Sequence, residues 1–176
     1  MNKFSKTLLA SSLFASAGAH AAAFQLAEVS TSGLGTAYAG NAAVADNASV
    51  VANNPALMTQ FKQAEMSAGG VLFQADVDIN GTLAGTVNAS HNNIIPKAVI
   101  PNLYFVTPIN DRFAMGAGMN VNYGLKSRFS PDYSAGVYGG NTRLSAINFN
   151  LSGAYNLGYG LSIGAGLNAI YSEDRK

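Results

Sequence analysis

The sequence predicts an all-β fold: the wall of a transmembrane antiparallel β-barrel, preceded by an export signal and a compact irregular segment. Three observations carry this prediction. Several successive segments alternate in polarity with the two-residue period of a strand, an export signal precedes them, and the chain contains no cysteine. Alternation alone is also typical of half a soluble β-sandwich. The export signal and the repeated alternating segments favour an outer-membrane wall.

The first 21 residues predict a cleaved signal peptide. Lys3 and Lys6 give a basic start, Thr7–Ala19 is apolar, and Ala19-His20-Ala21 fits the small-x-small cleavage pattern. The alternative is a membrane anchor, but a spanning helix needs about 20 apolar residues and this stretch is shorter. We therefore place the mature N-terminus at Ala22.

The composition narrows the class of protein. Charged residues make up 11% of the chain, whereas a soluble domain averages about 25%. No later apolar run reaches the length of about 18 residues that a spanning helix needs, so strands with one apolar face fit best. The absence of cysteine excludes a disulfide scaffold and a thiolate metal site. A net charge of +1 without a basic cluster gives no support for a nucleic-acid partner.

Residues 22–63 do not alternate and predict a compact irregular element with short helical pieces. The segment is rich in Ala, Gly, Ser and Asn. Asn54-Pro55 marks a turn within it, because the residue before a proline is driven out of the helical region. The alternative is a flexible N-terminal extension.

Residues 64–176 predict five strands. They run over Glu65–Ile79, Ala98–Thr107, Phe113–Leu125, Arg143–Leu157 and Leu161–Tyr171. The fourth strand alternates most clearly, with Phe149 and Leu151 on one face and Asn148 and Asn150 on the other. Pro101 has no N–H to donate, so we expect weak pairing or a bulge in the second strand.

The predicted connections alternate between short and long. Tight turns follow the second and fourth strands, and longer loops follow the first and third, over residues 80–93 and 127–142. Transmembrane barrels have this asymmetry, with short periplasmic turns and long outer loops. Aromatic residues near both ends predict girdles at the membrane interfaces, although ordinary scatter is the alternative. These residues are Tyr155, Tyr159, Tyr123, Phe129 and Tyr133.

The apparent catalytic and metal motifs lack residues that their chemistry needs. Asp76 to Gly81 matches the first half of a calcium-binding loop, but Val87 stands where the bidentate glutamate is required. His91 is the only histidine after the signal, which leaves no zinc-binding pair and no histidine base with an acid nearby in sequence. We expect no enzymatic activity, no metal and no cofactor.

Short motifs in one order across the mature region resemble the long-chain fatty acid outer-membrane transporter family, FadL. They are Ala23-Phe24-Gln25-Leu26, Ser32-Gly33-Leu34-Gly35, Ala37-Tyr38-Ala39-Gly40, Asn54-Pro55-Ala56-Leu57, Pro108-Ile109-Asn110-Asp111, Asn122-Tyr123-Gly124-Leu125 and Asn150-Leu151-Ser152-Gly153-Ala154-Tyr155. The resemblance implies a fourteen-stranded barrel plugged by an N-terminal hatch, of which this chain covers the hatch (22–63) and about five strands (64–176). It implies passive transport, without a cofactor, of long-chain fatty acids or other hydrophobic small molecules.

The resemblance also implies a location and a set of gating residues. The protein lies in the outer membrane of a Gram-negative bacterium, contacts its lipid and is a monomer when complete. The implied ligand-binding and gating residues are Phe24 near the ligand site, a hatch turn at Asn54, Pro55 and Ala56, and a neighbouring kink in the third strand at Asn122, Tyr123 and Gly124. Such a kink breaks ladder hydrogen bonds and opens the wall sideways toward the bilayer.

Five strands leave two open sheet edges, which lipid cannot satisfy. We therefore expect a fragment, a truncated product or one piece of a split reading frame. The polar run from Glu173 to Lys176 predicts a loop edge. The alternative function is a structural or surface-antigen outer-membrane β-barrel without a specific ligand. A third, soluble periplasmic lipid binding, fits less well because the outward faces carry almost no charge.

Overall fold

The computed structural model describes residues 26, 28–136 and 140–175. The predicted signal peptide and Phe24 lie outside the described residues. Within them, a five-stranded antiparallel sheet forms the wall, and the segment before residue 64 packs on one face of it. We call this segment the hatch and the sheet face that it covers the inner face.

The hatch is built from short helices, as its lack of alternation predicts. Two α-helices span Thr31–Gly35 (α1) and Val50–Asn53 (α2), and a 3₁₀ helix spans Pro55–Gln60. The strands are β1 Glu65–Phe73, β2 Thr82–Leu83, β3 Val87–Asn88, β4 Ala98–Pro108, β5 Phe113–Ser127, β6 Thr142–Gly158 and β7 Leu161–Arg175.

All five predicted strands are present in the order β1-β4-β5-β6-β7. Every neighbouring pair is antiparallel, which is the up-and-down arrangement expected of a barrel wall. The turn between β4 and β5 and the two-residue turn between β6 and β7 are short. In that second turn Tyr159 and Gly160 both have positive φ, at 54° and 78°, as a tight hairpin with type I′ geometry requires.

The predicted first strand is too long. β1 ends at Phe73, and residues 74–79 leave the wall sheet. Ile79 instead exchanges backbone hydrogen bonds with His91, at 2.8 Å in both directions. The predicted loop 80–93 therefore contains secondary structure of its own, namely the β2–β3 hairpin.

The fifth strand is longer than predicted, and the loop edge expected at residues 173–176 is wrong for residues 173–175. β7 continues to Arg175, where it pairs with Arg143 of β6. The polar residues stay in the strand because β6 begins at Thr142 and extends the backbone ladder beside them. Pairing along the whole neighbouring strand outweighs a local composition that disfavours strands.

Burial confirms the predicted alternation in the fourth strand. Asn148, Asn150 and Ser152 are buried on the inner face of β6, while Phe149 and Leu151 are 53% and 56% exposed on the other. We call this second face the outer face. It is apolar along β4 to β7, which suits contact with lipid.

Both sides of β1 carry apolar residues. Val71 lies on the half-buried side of β1, whereas Met66 and Leu72 are 68% and 66% exposed on the outer face. The inner side of β1 also carries small residues, Ser67 and Gly69, against the hatch. The inner side of β1 is therefore determined by contacts with the hatch, and these contacts cannot be seen in the alternation of the sequence.

The hatch and the wall share one hydrophobic core. Val51 and Met58 of the hatch are fully buried against Tyr104 and Val106 of β4. Gly116 of β5 lies directly beneath them, because a Cβ built there would come within 2.6 Å of both Val51 Cγ2 and Met58 Sδ. The missing side chain thus lets the hatch approach the wall closely.

Within the described part of the chain, no helix has the length and apolar character needed to cross a membrane.

Candidate hatch and wall opening

Hydrogen bonds fix the hatch to strands across the wall. The Tyr104 hydroxyl of β4 donates to the Val29 carbonyl oxygen at 2.7 Å. The backbone N–H of Ala48 donates to Ser67 Oγ of β1 at 3.0 Å. With contacts on both β1 and β4, the hatch is held at several points rather than tethered at one end.

Helix α1 has a side-chain cap and a covering aromatic ring. Ser30 Oγ accepts a hydrogen bond from the Gly33 N–H at 3.0 Å, which satisfies one free donor of the first turn. The Tyr38 hydroxyl donates to the Ser30 carbonyl oxygen at 3.1 Å. Burial raises the pKa of the Tyr38 phenol above its ordinary value of 10.0, which favours the protonated, donating form.

Asn54, Pro55 and Ala56 form the turn that the sequence predicts, and they start the 3₁₀ helix. Asn54 Oδ1 accepts from the Ala56 N–H at 3.2 Å, and Asn54 Nδ2 donates to the Ala42 carbonyl oxygen at 2.8 Å. Pro55 occupies the first helical position, where its missing N–H leaves no bond unmade. The turn lies against Gly164 of β7.

A bulge interrupts β5 at Asn122. Val121 pairs with Ile147 and Tyr123 with Ala146, so Asn122 is the extra residue of the ladder. Its carbonyl oxygen accepts a hydrogen bond from the Leu26 N–H at 2.8 Å. Leu26 also lies over Gly124, because a Cβ built on Gly124 would be 3.3 Å from Leu26 Cδ1.

The structure does not bring the hatch turn and the bulge together, contrary to the expectation from the resemblance. Gly164 beneath the turn aligns through Ala154 with Ala114 of β5. Asn122 lies eight residues further along β5, which is about 26 Å at about 3.3 Å per residue. The hatch contacts the bulge through its N-terminal residue Leu26 instead.

The ladder between β4 and β5 stops beside the bulge. The last pair on this side is Asn102 with Asn120. β4 continues over Ala98–Pro101 and β5 over Val121–Ser127, yet no register pair joins these two stretches. The weak pairing expected at Pro101 is confirmed on this side of β4, while its pairing with β1 persists.

A cleft of about 380 Å³ occupies this interruption. Leu26 lines it together with Ile100 from the inner face of β4 and with Val121 and Ile147 from the outer faces of β5 and β6. The wall is therefore open to both faces at this point. We call this feature the wall opening.

Three cations line the wall opening, and the sequence analysis did not select them. They are Lys97, Lys126 and Arg143, all exposed. Lys97 immediately precedes β4, Lys126 lies near the end of β5, and Arg143 lies near the start of β6. This shared position at the loop ends of the strands is the one signal in the sequence that could have grouped them.

Amide side chains line the inner face beyond the hatch helices. Asn148 Nδ2 donates to Asn120 Oδ1 and Asn168 Oδ1, each at 3.1 Å. Asn150 Nδ2 donates to the same Asn168 oxygen at 2.9 Å, and the Ser152 hydroxyl donates to Asn150 Oδ1 at 2.6 Å. The inner face is thus polar where the outer face of the same strands is apolar.

The two outer loops are joined around His91. His91 Nε2 accepts a hydrogen bond from the Ser130 N–H at 2.9 Å, and Nδ1 faces the Asn92 carbonyl oxygen at 3.0 Å. Phe129 and Tyr133 stack with ring centroids 4.8 Å apart, and both meet the His91 ring edge-on. These two aromatic residues pack against each other and His91 within the loops, and their place in a lipid girdle stays a prediction.

Among the residues that the structure describes, no group of three or more His, Asp or Glu side chains could hold a metal ion.

Comparisons with known proteins agree with this architecture. The family model described as outer membrane protein transport protein (OMPP1/FadL/TodX) matches residues 12–175. Outer membrane protein P1 of Haemophilus influenzae is 56% identical over 189 residues, covering 98% of this chain and 41% of that protein. The long-chain fatty acid transport protein of Escherichia coli strain K12 is 46% identical over 171 residues, covering 97% of this chain and 38% of that protein.

A solved structure supports the β-barrel fold. The crystal structure of a Pseudomonas aeruginosa FadL homologue matches with a TM-score of 0.63 and 23% identity, over 87% of this chain and 38% of that one. The chain spans about 41% of the length of the curated relative from Haemophilus influenzae. It belongs to the FadL family of Gram-negative outer-membrane transport proteins.

Proposed function

We propose that the chain supplies the hatch and the first wall strands of a passive outer-membrane transporter for long-chain fatty acids or related hydrophobic small molecules. In this proposal the molecule leaves sideways, through the wall opening, into the bilayer. The observation that carries the proposal is the interrupted β4–β5 ladder, where both strands continue past Asn102 and Asn120 without pairing.

The chemistry of the wall opening suits an amphipathic acid. Its Leu, Ile and Val side chains can take up an acyl chain, and each CH₂ buried contributes about 0.8 kcal/mol. Lys97, Lys126 and Arg143 can form charge-assisted hydrogen bonds with a carboxylate. An acyl chain and a carboxylate are the two parts of a fatty acid.

The wall opening also limits the penalty of unpaired backbone in lipid. Each unsatisfied backbone group in hydrocarbon costs several kcal/mol. Pro101 contributes no N–H, and Leu26 donates its N–H to the Asn122 carbonyl oxygen. The break in the ladder is therefore partly satisfied by the hatch, and a passing molecule has fewer polar groups to cross.

The predicted gating residues take three roles in the proposal. Phe24 precedes Leu26 by two residues in sequence, and we assign it to the ligand site. Asn54, Pro55 and Ala56 hold the hatch in register with the wall. Asn122, Tyr123 and Gly124 form the bulged edge that the molecule passes.

Filling the wall opening tests the proposal. Gly124 has no positive φ, so Gly124→Phe is compatible with its backbone and would place a ring beside Leu26. In a host lacking its own fatty-acid transporter, we expect this variant of the complete gene product to reach the outer membrane and lose most oleate uptake. Gly153→Phe is the matched control, since a Cβ there meets only the Phe113 ring, at 3.7 Å. Unchanged uptake by assembled Gly124→Phe would contradict lateral exit.

The second candidate is a structural or surface-antigen barrel without a specific ligand. The printed name of the Haemophilus influenzae relative, outer membrane protein P1, states no substrate. The same uptake assay decides between the two candidates. A parental protein that assembles in the outer membrane and takes up no oleate favours the structural candidate.

A further inference from the structure

The hatch turn approaches the wall most closely at Gly164 of β7. A Cβ built on Gly164 would meet the backbone nitrogen of Ala56, and it would lie 2.7 Å from Pro55 C and 2.9 Å from Ala56 Cα. Real Cβ contacts are essentially never shorter than 3.0 Å, so any side chain at this position must displace the turn. Only glycine is compatible with the observed hatch position.

This contact differs from those of the other inner-face glycines. At Gly116 and Gly118 the built Cβ mainly meets side chains, namely Met58, Val51 and Tyr104. Side chains can change rotamer, whereas the backbone of the Asn54 turn is fixed by two hydrogen bonds of the Asn54 amide. Gly164 therefore constrains the position of the hatch more strictly than its neighbours do.

A second contact lies two residues away on the same face of β7. Ser162 Oγ and Thr59 Oγ1 are 2.9 Å apart in a hydrogen bond between β7 and the 3₁₀ helix. Residues two apart on a strand share a face. Gly164 thus contacts the beginning of the 3₁₀ helix, and Ser162 contacts a residue near its end. We call these two residues the β7 docking site.

We propose that the β7 docking site is a positioning element that holds the hatch against the wall and so keeps the complete barrel closed to hydrophilic solutes. This inference rests on the proposed function, in which the hatch plugs the lumen. A displaced turn breaks the Thr59–Ser162 hydrogen bond and separates Val51 and Met58 from Gly116. Because the interior is close-packed, the hatch cannot absorb the shift locally, and gaps open along its edge.

Cross-linking measures the docking directly. Residues 1–176 contain no cysteine, so a disulfide between Thr59→Cys and Ser162→Cys has no competing thiol within this part of the protein. In the complete gene product we expect the pair to form a disulfide in the assembled barrel. Adding Gly164→Ala should lower the disulfide yield several-fold, and adding Gly153→Ala should not. An equal yield in both backgrounds would overturn the assignment of Gly164.

Ion conductance measures how well the hatch closes the barrel. Gly164→Ala protein with its native Thr59 and Ser162 should show a several-fold higher ion conductance in planar bilayers than the parent, while Gly153→Ala matches the parent. Parental conductance in an assembled Gly164→Ala barrel would overturn the sealing role. If Gly164→Ala does not assemble, Ser162→Val, which removes the hydroxyl and adds bulk beneath the 3₁₀ helix, takes its place with the same expected rise and the same contrary outcome.

Two readouts separate this inference from the proposed function. Conductance is measured without a fatty acid, and oleate uptake is measured in cells. Raised conductance in a protein whose parent takes up no oleate supports the docking site and contradicts the proposed function. Normal oleate uptake by the parent with unchanged conductance in the variants supports the proposed function and contradicts the docking site.

Discussion

Successive residues along one strand of this wall lie alternately in two different environments. Leu151 points outward and is 56% exposed, whereas its neighbour Asn150 is 8% exposed and makes two hydrogen bonds on the inner face. Replacing Asn150 would break these two hydrogen bonds as well as change the polarity of the face, so a substitution on the outer face needs a control on the same face.

Leu151→Arg should destabilise the folded wall much more than Leu157→Arg. Leu151 lies midway along β6, and Leu157 lies beside the turn at its end. A lipid-facing arginine costs about 2–4 kcal/mol near the bilayer midplane and about 0–1 kcal/mol near the interface. Denaturant titration of protein folded into lipid vesicles gives the free energy of unfolding of each variant. Equal losses would mean that the outer face of β6 does not meet hydrocarbon.

The separate elements show what the sequence could and could not predict. β6, β7 and the part of β5 before its bulge at Asn122 are predicted well, because the face of each residue there follows from alternation within the strand itself. The end of β1 is not predictable in this way, since residues 74–79 keep alternating and leave the sheet only because Ile79 pairs with His91. Strand ends depend on partners distant in sequence.

The 3₁₀ helix depends on its cap. Asn54→Ala removes the side-chain acceptor of the Ala56 N–H and the donor to Ala42, which should destabilise the hatch by about 1 kcal/mol. Asn53→Ala is the control, because Asn53 is exposed and makes no side-chain hydrogen bond. Protease cleavage within the hatch of the folded protein measures the difference. Cleavage at the same rate in both variants would contradict the capping role.

The outer loops form one unit through His91. His91→Ala removes the acceptor of the Ser130 N–H and the edge-on ring contacts with Phe129 and Tyr133. We expect faster proteolysis in both loops, with an intermediate rate for His91→Phe, which keeps a ring but loses a hydrogen bond worth about 1 kcal/mol. Faster cleavage confined to one loop would show that the loops are independent.

At the scale of the whole molecule, the two kinds of sequence pattern correspond to two parts of the fold, the hatch and the wall. The sequence predicts a non-alternating segment followed by alternating strands, and the structure packs the first on the inner face of the second. The wall opening and the role of Gly164 could not be predicted from the sequence, because both depend on which residues meet across the fold. A glycine in a strand pattern looks the same whether it lies on the outer face, as Gly153 does, or against a hatch backbone.

The contact between Thr59 and Ser162 has a consequence for the order of assembly, because 103 residues separate its two partners in sequence. The hatch precedes every wall strand in the chain, yet this bond cannot form until β7 has joined the sheet. Contacts of such long range form slowly, since the intervening chain must first be ordered. A formed Thr59–Ser162 hydrogen bond therefore indicates that the fifth strand has paired with the rest of the wall.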